Sequence, residues 1–218
     1  MGKDNFKNSM FEGLSRLLKA LANPLRLEIL EILSQGENTV ESIVNLTNMT
    51  VANASQHLQV LKSNNIVKSR KNGRYVYYSI ANNQFLSLYQ HITTYGTNEI
   101  ADLERNLLRQ RQDSNSADAV SLTELDYMLN QDNIVLLDVR PEAEYKQDHI
   151  TGAVSMPVED IVARLKELSK SKEIVAYCRG PFCVLADQAV RILQEAGYSV
   201  RRLDKGYPEW KLEQLKSQ

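Results

Sequence analysis

Cysteine is scarce in this chain: Cys178 and Cys183 are the only two in 218 residues. Two thiols five positions apart cannot staple a fold of this length, so a disulfide framework is excluded and a chemical use of the pair is the open question. Long apolar runs are missing too. The longest, such as Ile134 to Leu137, fall far short of the roughly 20 residues a membrane-spanning helix needs. The opening Met1-Gly2-Lys3-Asp4-Asn5 has no apolar signal core, so the chain is expected to stay in the cytoplasm with its thiols reduced at rest. Charge of one sign does not dominate either, since the net charge is −1. It is unevenly spread, however: residues 1–96 hold 10 Lys/Arg against 6 Asp/Glu, and residues 118–218 hold 13 against 17. A basic first part and an acidic second part fit two modules with different partners.

Apolar residues from Met10 to Leu21 recur at helical spacing, and Asn23-Pro24 then opens a second helix that stops near Gly36. Asparagine as cap and proline at the first helical position suit that start. A short third helix over Val40 to Leu46 and a fourth from Val51 to Asn64 flank the polar break Thr47-Asn48-Met49-Thr50, a helix-turn-helix pattern. Two β-rich runs, Ile66 to Arg70 and Arg74 to Ile80, surround a turn at Lys71-Asn72-Gly73. An Asn-Gly pair between such runs is a hairpin signal. Helical spacing returns over 82–110 with an interruption near Gly96, and the polar stretch 111–118 is the linker candidate.

Past the linker the pattern alternates. Ser121-Leu122-Thr123-Glu124 reads as a capping box, and Asn133 to Val139 as a strand buried on both faces. A helix over Val158 to Leu168, a strand over Glu173 to Tyr177, a helix over Val184 to Ala196 closed by Gly197 and a strand over Tyr198 to Leu203 follow. This order predicts a mainly parallel sheet with helices on its faces. The fold class is therefore two domains, an α+β winged helix-turn-helix over 1–96 and an α/β sheet domain over 118–218, joined by a helical then polar linker over 97–117.

Helix four is the element a major groove accepts, because one helix fits its width and polar side chains near its start meet base edges. Asn53, Ser55 and Gln56 are the base-reading candidates, with Gln59 beside them. His57 either packs or touches phosphate. Lys68, Arg70, Lys71 and Arg74 cluster around the hairpin tip, a charge density suited to phosphate. Each feature alone also fits ordinary solvated surface, and it is their order along the chain that points to double-stranded DNA.

Here the sequence resembles the ArsR/SmtB family of winged-helix repressors, through Leu21-Ala22-Asn23-Pro24-Leu25-Arg26-Leu27-Glu28-Ile29-Leu30, Ser55-Gln56-His57-Leu58-Gln59-Val60-Leu61-Lys62 and Gly73-Arg74-Tyr75-Val76-Tyr77-Tyr78. The resemblance implies a homodimer on a roughly palindromic operator. The stripes Leu14/Leu18/Leu21 and Phe85/Leu88/Ile92 would supply the dimer contact, or equally ordinary core. Metal-sensing members commonly carry a cysteine pair in the third helix, where this chain has Thr39-Val40-Glu41-Ser42-Ile43-Val44-Asn45, so metal sensing there is excluded. His91 has no ligand partners at metal spacing, and no metal or cofactor is expected.

In the second domain the loop Cys178-Arg179-Gly180-Pro181-Phe182-Cys183 joins a buried strand to an amphipathic helix, at the carboxyl ends of the strands, where ligands bind in a parallel sheet. Gly180 allows tight curvature, and loop amides next to a helix start stabilise an anion. With Arg179 beside it, that field should lower the Cys178 pKa below the free value of about 8.5. An inert buried thiol is the alternative.

Leu137-Asp138-Val139-Arg140-Pro141-Glu142-Ala143-Glu144-Tyr145, His149-Ile150-Thr151-Gly152-Ala153-Val154-Ser155-Met156-Pro157 and Leu203-Asp204-Lys205-Gly206-Tyr207-Pro208-Glu209-Trp210 give this part a resemblance to the rhodanese (sulfurtransferase) family. The resemblance implies that Cys178 takes sulfane sulfur from a donor such as thiosulfate or a polysulfide and passes it, as a persulfide, to a thiol acceptor, with the amides of Arg179 to Cys183 cradling it. Asp138 and Arg140 are read as an ion pair supporting the loop rather than as substrate contacts. Phosphatases of related shape need an arginine six positions after the cysteine, where this chain has Val184, which disfavours phosphate-ester chemistry. Cys183 stands where many rhodaneses have a small residue; it is either a redox partner of Cys178 or a weak hydrogen-bond partner. Three functions stay open: a sulfur-responsive repressor, a sulfurtransferase that the first domain only dimerises or locates, and an interaction module with a redox-active thiol pair.

Overall fold

The computed structural model describes residues 2–112 and 119–216; from residue 113 the expected polar linker lies outside the described residues. By its contacts the chain divides into Met1–Leu86 and Ser87–Gln218, and the division after residue 96 expected from sequence falls within the second of these.

The first unit contains α1 (Gly2–Leu21), α2 (Pro24–Gln35), β1 (Asn38–Thr39), α3 (Val40–Leu46), α4 (Val51–Ser63), β2 (Val67–Asn72) and β3 (Tyr75–Ile80). Three of its helices start where a short polar side chain caps them. The backbone N–H of Arg26 donates to Asn23 Oδ1, that of Ser42 to Thr39 Oγ1 and that of Asn53 to Thr50 Oγ1, each at 3.2 Å. Such caps contribute about 0.5–2 kcal/mol each and explain why these boundaries are legible. Ile29, Leu30 and Leu33 of α2, Ile43 of α3 and Ala54, Leu58 and Leu61 of α4 close the core.

The hairpin turns one residue later than its Asn-Gly signal indicates. Asn72 pairs with Tyr75, so the two-residue loop is Gly73-Arg74, with Gly73 at φ 60°. Positive φ at the first loop position is what glycine supplies there. β1 adds a third strand, Asn38 opposite Tyr78 and Thr39 opposite Tyr77, too short to show as a sequence pattern. Beyond it, α5 (Asn83–Glu99) and α6 (Ala101–Gln112) meet at Ile100 rather than at Gly96, whose carbonyl accepts from the Ile100 N–H at 3.0 Å.

The sheet of the second unit has strand order β5-β4-β6-β7, all parallel: β4 (Ile134–Asp138), β5 (Val154–Ser155), β6 (Glu173–Tyr177) and β7 (Val200–Arg202). Around it lie α7 (Leu122–Asn130), α8 (Glu142–Gln147), α9 (Ile161–Arg164), α10 (Leu185–Glu195) and α11 (Tyr207–Lys216). Successive side chains of a strand point to opposite faces, and the two apolar cores divide accordingly. Leu137, Ile174 and Ala176 pack with α9 and α10 residues such as Ile161, Ala189 and Leu193. Ile134, Leu136, Val175 and Tyr177 pack with Leu122, Leu125 and Tyr207 from α7 and α11.

Two local expectations change. Ser121 caps α7, accepting from the Glu124 N–H at 3.1 Å, but the Glu124 carboxylate is held by Arg201 Nη1 at 2.8 Å, so only half of the capping box forms. The helix expected over Val158 to Leu168 breaks into 3-10 turns, Val158–Asp160 and Leu165–Glu167, on either side of the one-turn α9. No side chain caps these pieces, and unsupported short helical segments favour the tighter turn.

Under the carboxyl ends of β4 and β6 sits a sealed ion pair. Asp138 and Arg140 are both 0% exposed; Arg140 Nε and Nη2 donate to the carboxylate at 2.9 and 2.6 Å, and Nη2 also reaches the Asp148 carbonyl at 2.9 Å. The Tyr177 hydroxyl donates to Asp138 Oδ2 at 2.6 Å, and the guanidinium lies over the Tyr207 ring at 4.5 Å. Both charges are fully satisfied, so removing one strands the other in hydrocarbon, at about 3–5 kcal/mol. Asp138→Ala is therefore expected to destabilise this unit by that amount in urea unfolding followed through Trp210, the chain's only tryptophan. A loss below about 1 kcal/mol would show that the pair is not the closed system described.

Candidate functional site

The DNA-facing candidates sit on α4 and the hairpin as the sequence places them. Leu58 and Leu61 face the core, while Gln56 and Gln59 are exposed and Asn53 and Ser55 half-buried. His57 is half-buried, and burial together with the Arg26 charge lowers its pKa. Lys71 and Arg74 are exposed at the tip, whereas Lys68, expected there too, is exposed at the far end of β2 opposite Ser79. Arg70, also exposed, is ion-paired with Glu37 and lies over the Tyr77 ring at 4.8 Å, so a phosphate would compete with a carboxylate for it. His91 is occupied locally, its Nδ1 lying 2.6 Å from the Ser87 carbonyl oxygen.

The cysteine loop starts at the last residue of β6. Because Ile174 and Ala176 face α10 and Val175 and Tyr177 face α11, alternation sends Cys178 to the α10 side. It is 3% exposed and part of that core, while Cys183 is half-buried. The loop folds back through a turn in which the Cys183 N–H donates to the Gly180 carbonyl at 3.1 Å.

α10 has no side-chain cap, so its first amides need another acceptor. They find sulfur. Backbone N–H groups of Ala186 and Gly180 address Cys178, and those of Leu185 and Arg179 address Cys183. The cradle expected from Arg179 to Cys183 is thus built half from the loop and half from the helix start, and the Cys183 amide is spent on the turn.

The ionisation expected for Cys178 is corrected by the structure. Burial, then its hydrogen bond to the Cys183 sulfur and the Cys183 charge, push the Cys178 thiol up. Carbonyls also face it, with Cys183 O 3.5 Å and Gly180 O 4.0 Å from Sγ. The Cys178 S–H, the amides of Arg179 and Leu185 and the Arg179 charge outweigh burial and bring Cys183 down to about 7. Near neutral pH Cys183 is therefore the thiol that ionises, while Cys178 keeps its proton. Proximity to a helix start is legible in a sequence; the depth of a sulfur below the surface is not.

Other members of the site had no sequence signal of their own. Buried Glu144 of α8 holds Arg179, whose Nε lies 3.0 Å from both carboxylate oxygens. Arg202, 3% exposed at the end of β7, lies 3.9 Å from Asp187 and 3.8 Å from Asp204. Arg111 at the end of α6 joins this group: burial and the Arg202 charge lower its pKa, while Asp204, Asp187 and Cys178 pull the other way. Gly206 presses on the loop so closely that a Cβ there would lie 2.4 Å from the Gly180 nitrogen and 2.5 Å from the Arg179 carbonyl carbon. Pro181 completes the loop, and Phe182 is exposed at its rim. Asp138 and Arg140 lie below it in the sealed pair, out of reach of a ligand from solvent.

Residues 23–69 match the bacterial regulatory protein, arsR family, and residues 121–213 match the rhodanese-like domain. The chain is 39% identical over 211 residues to the HTH-type transcriptional regulator Rv0324 of Mycobacterium tuberculosis, covering 97% of this chain and 92% of that protein. The transcriptional repressor SmtB homolog of Synechocystis sp. is 33% identical over 79 residues, 36% of this chain and 60% of its own length. A sulfurtransferase of Allochromatium vinosum is 31% identical over 97 residues, 44% of this chain and 87% of its own length. With a winged helix-turn-helix in its first unit and a parallel sheet carrying the cysteine loop in its second, this chain belongs to the ArsR family of transcription regulators, as a member with a C-terminal rhodanese domain.

Proposed function

We propose that this chain is a homodimeric cytoplasmic repressor whose DNA affinity is set by the sulfur state of Cys178, loaded as a persulfide from a sulfane-sulfur donor. The observation that carries this reading is the start of α10: amides of Gly180 and Ala186 point at the Cys178 sulfur where no side chain caps the helix. A helix start with free amides stabilises negative charge, and a persulfide anion at Cys178 supplies it. Proton transfer from Cys178 to the Cys183 thiolate frees the attacking sulfur, so burial does not bar the first step.

Reading of DNA rests on α4 and the hairpin. Gln56 and its neighbours meet base edges, and Lys68, Lys71 and Arg74 meet phosphate. Dimerisation is supported by apolar side chains that one chain leaves in solvent: Phe11, Leu14 and Leu18 on α1 are 58%, 55% and 62% exposed. Contiguous apolar surface of this kind marks an interface. Sulfurtransferase-type chemistry, as in the named Allochromatium relative, supplies the signal. A sulfur only 3% exposed favours a single loading event over rapid turnover, which is the observation that ranks sensing above an enzyme-first role.

Two outcomes are expected. With a DNA fragment selected by the protein from a random library, inorganic polysulfide should change the Kd of the wild type at least tenfold, about 1.4 kcal/mol, and leave Cys178→Ser unchanged; equal affinities in all four arms would overturn the regulatory reading. Gln56→Ala should relax sequence preference by about 1–3 kcal/mol, whereas Lys71→Ala should weaken all DNA alike and lower the salt slope by about 1. A Gln56→Ala protein with unaltered sequence preference would remove α4 from base reading.

A further inference from the structure

We propose that Cys183 is the resolving thiol of the loop: it attacks the inner sulfur of a persulfide on Cys178, closes a Cys178–Cys183 disulfide and releases hydrosulfide. This rests on the persulfide reading above and goes beyond it, because it makes the loaded state transient and the oxidised loop its product.

Geometry places the two sulfurs together. Both thiols are free, and Cys183 packs against the core that contains Cys178. The turn from Gly180 to Cys183 folds the loop back, leaving Cys178 Sγ 3.5 Å from the Cys183 carbonyl oxygen. Amides of Arg179 and Leu185 hold the Cys183 sulfur in place. Thiol exchange runs best when the attacking thiol ionises near ambient pH, and Cys183, brought down to about 7, meets that condition. Its half-buried position puts it between the sealed Cys178 and solvent.

The chemistry balances without an outside oxidant. The pair begins with one proton and one negative charge. Cys178 gives its proton to Cys183 and attacks the outer sulfur of thiosulfate; the S–S bond of thiosulfate breaks, and sulfite leaves with the electron pair. The persulfide takes the proton back from Cys183 on its outer sulfur. The Cys183 thiolate then attacks the inner sulfur, the persulfide S–S bond breaks, and hydrosulfide leaves with that bond's electron pair and the shared proton. Two protein sulfurs are oxidised to the disulfide, and the sulfane sulfur is reduced.

The test is a single-turnover reaction of the full-length, reduced protein with inorganic thiosulfate under anaerobic conditions, with inorganic polysulfide as a parallel arm read by mass alone. Trypsin cleaves after Arg179 and so separates the two cysteines, which makes the disulfide visible as the joined peptides 173–179 and 180–191. Wild type is expected to yield one sulfite and one hydrosulfide per chain together with the joined peptides. Cys183→Ser and Cys183→Ala, which also lack the proton acceptor, should release sulfite more slowly, but for each sulfite released they should give no hydrosulfide and a Cys178 peptide heavier by one sulfur atom. Wild type that keeps the added sulfur as long as the variants do, or that carries it on Cys183 with no joined peptides, overturns the resolving role while leaving the persulfide intact. Failure of every protein to take sulfur from either donor overturns both readings.

Discussion

The uncapped start of α10 is the constraint on which the second unit turns. A helix leaves its first four N–H groups without internal partners, and here the usual short polar cap is replaced by Val184, whose side chain cannot accept. The acceptors are two sulfurs, delivered from β6 by strand alternation and from the turn at Gly180. The same contacts that finish the helix therefore define the chemical site. A serine in place of either cysteine would still accept hydrogen bonds, but would exchange no sulfur.

Charges below and beside the loop explain why it keeps this shape. Asp138 and Arg140 are sealed and satisfy each other, with Tyr177 and the Asp148 carbonyl completing their bonds. Burying such a pair is weak evidence of stabilisation in itself, because desolvation offsets most of the attraction. Its effect is to fix geometry: Tyr177, immediately before Cys178, is bound to Asp138, while Tyr207, adjacent to Gly206 with its close backbone approach, donates through its own N–H to the Cys178 carbonyl at 3.2 Å. Glu144 does the same for Arg179. The loop is thus clamped at its first two residues, and its far end is closed by the turn from Gly180 to Cys183.

What was legible in the sequence was whatever local chemistry decides. Asn23, Thr39, Thr50 and Ser121 mark helix starts because capping is a contact within one turn, and Asn133 to Val139 reads as a doubly covered strand because both faces demand apolar residues. Elements set by distant partners were less legible. β1 exists only because Tyr77 and Tyr78 pair with it, and Glu124 leaves its capping box for Arg201, far along the chain. At the site, Cys178 and the amide cradle followed from strand–loop–helix order, but the reversal of thiol acidity did not. That reversal depends on depth below the surface and on the facing S–H, and neither has a sequence signature.

The magnitudes connect this chemistry to regulation. A helix cap is worth about 0.5–2 kcal/mol, and a tenfold change in DNA affinity needs about 1.4 kcal/mol. Converting the acceptor at α10 from thiol to persulfide anion, or withdrawing it into a disulfide, changes an interaction of the size that regulation requires. The sulfur also cannot be reached without disturbing its surroundings, since it is 3% exposed and packed in the core. Arg111, in the last turn of α6, has its pKa lowered chiefly by burial and by the Arg202 charge.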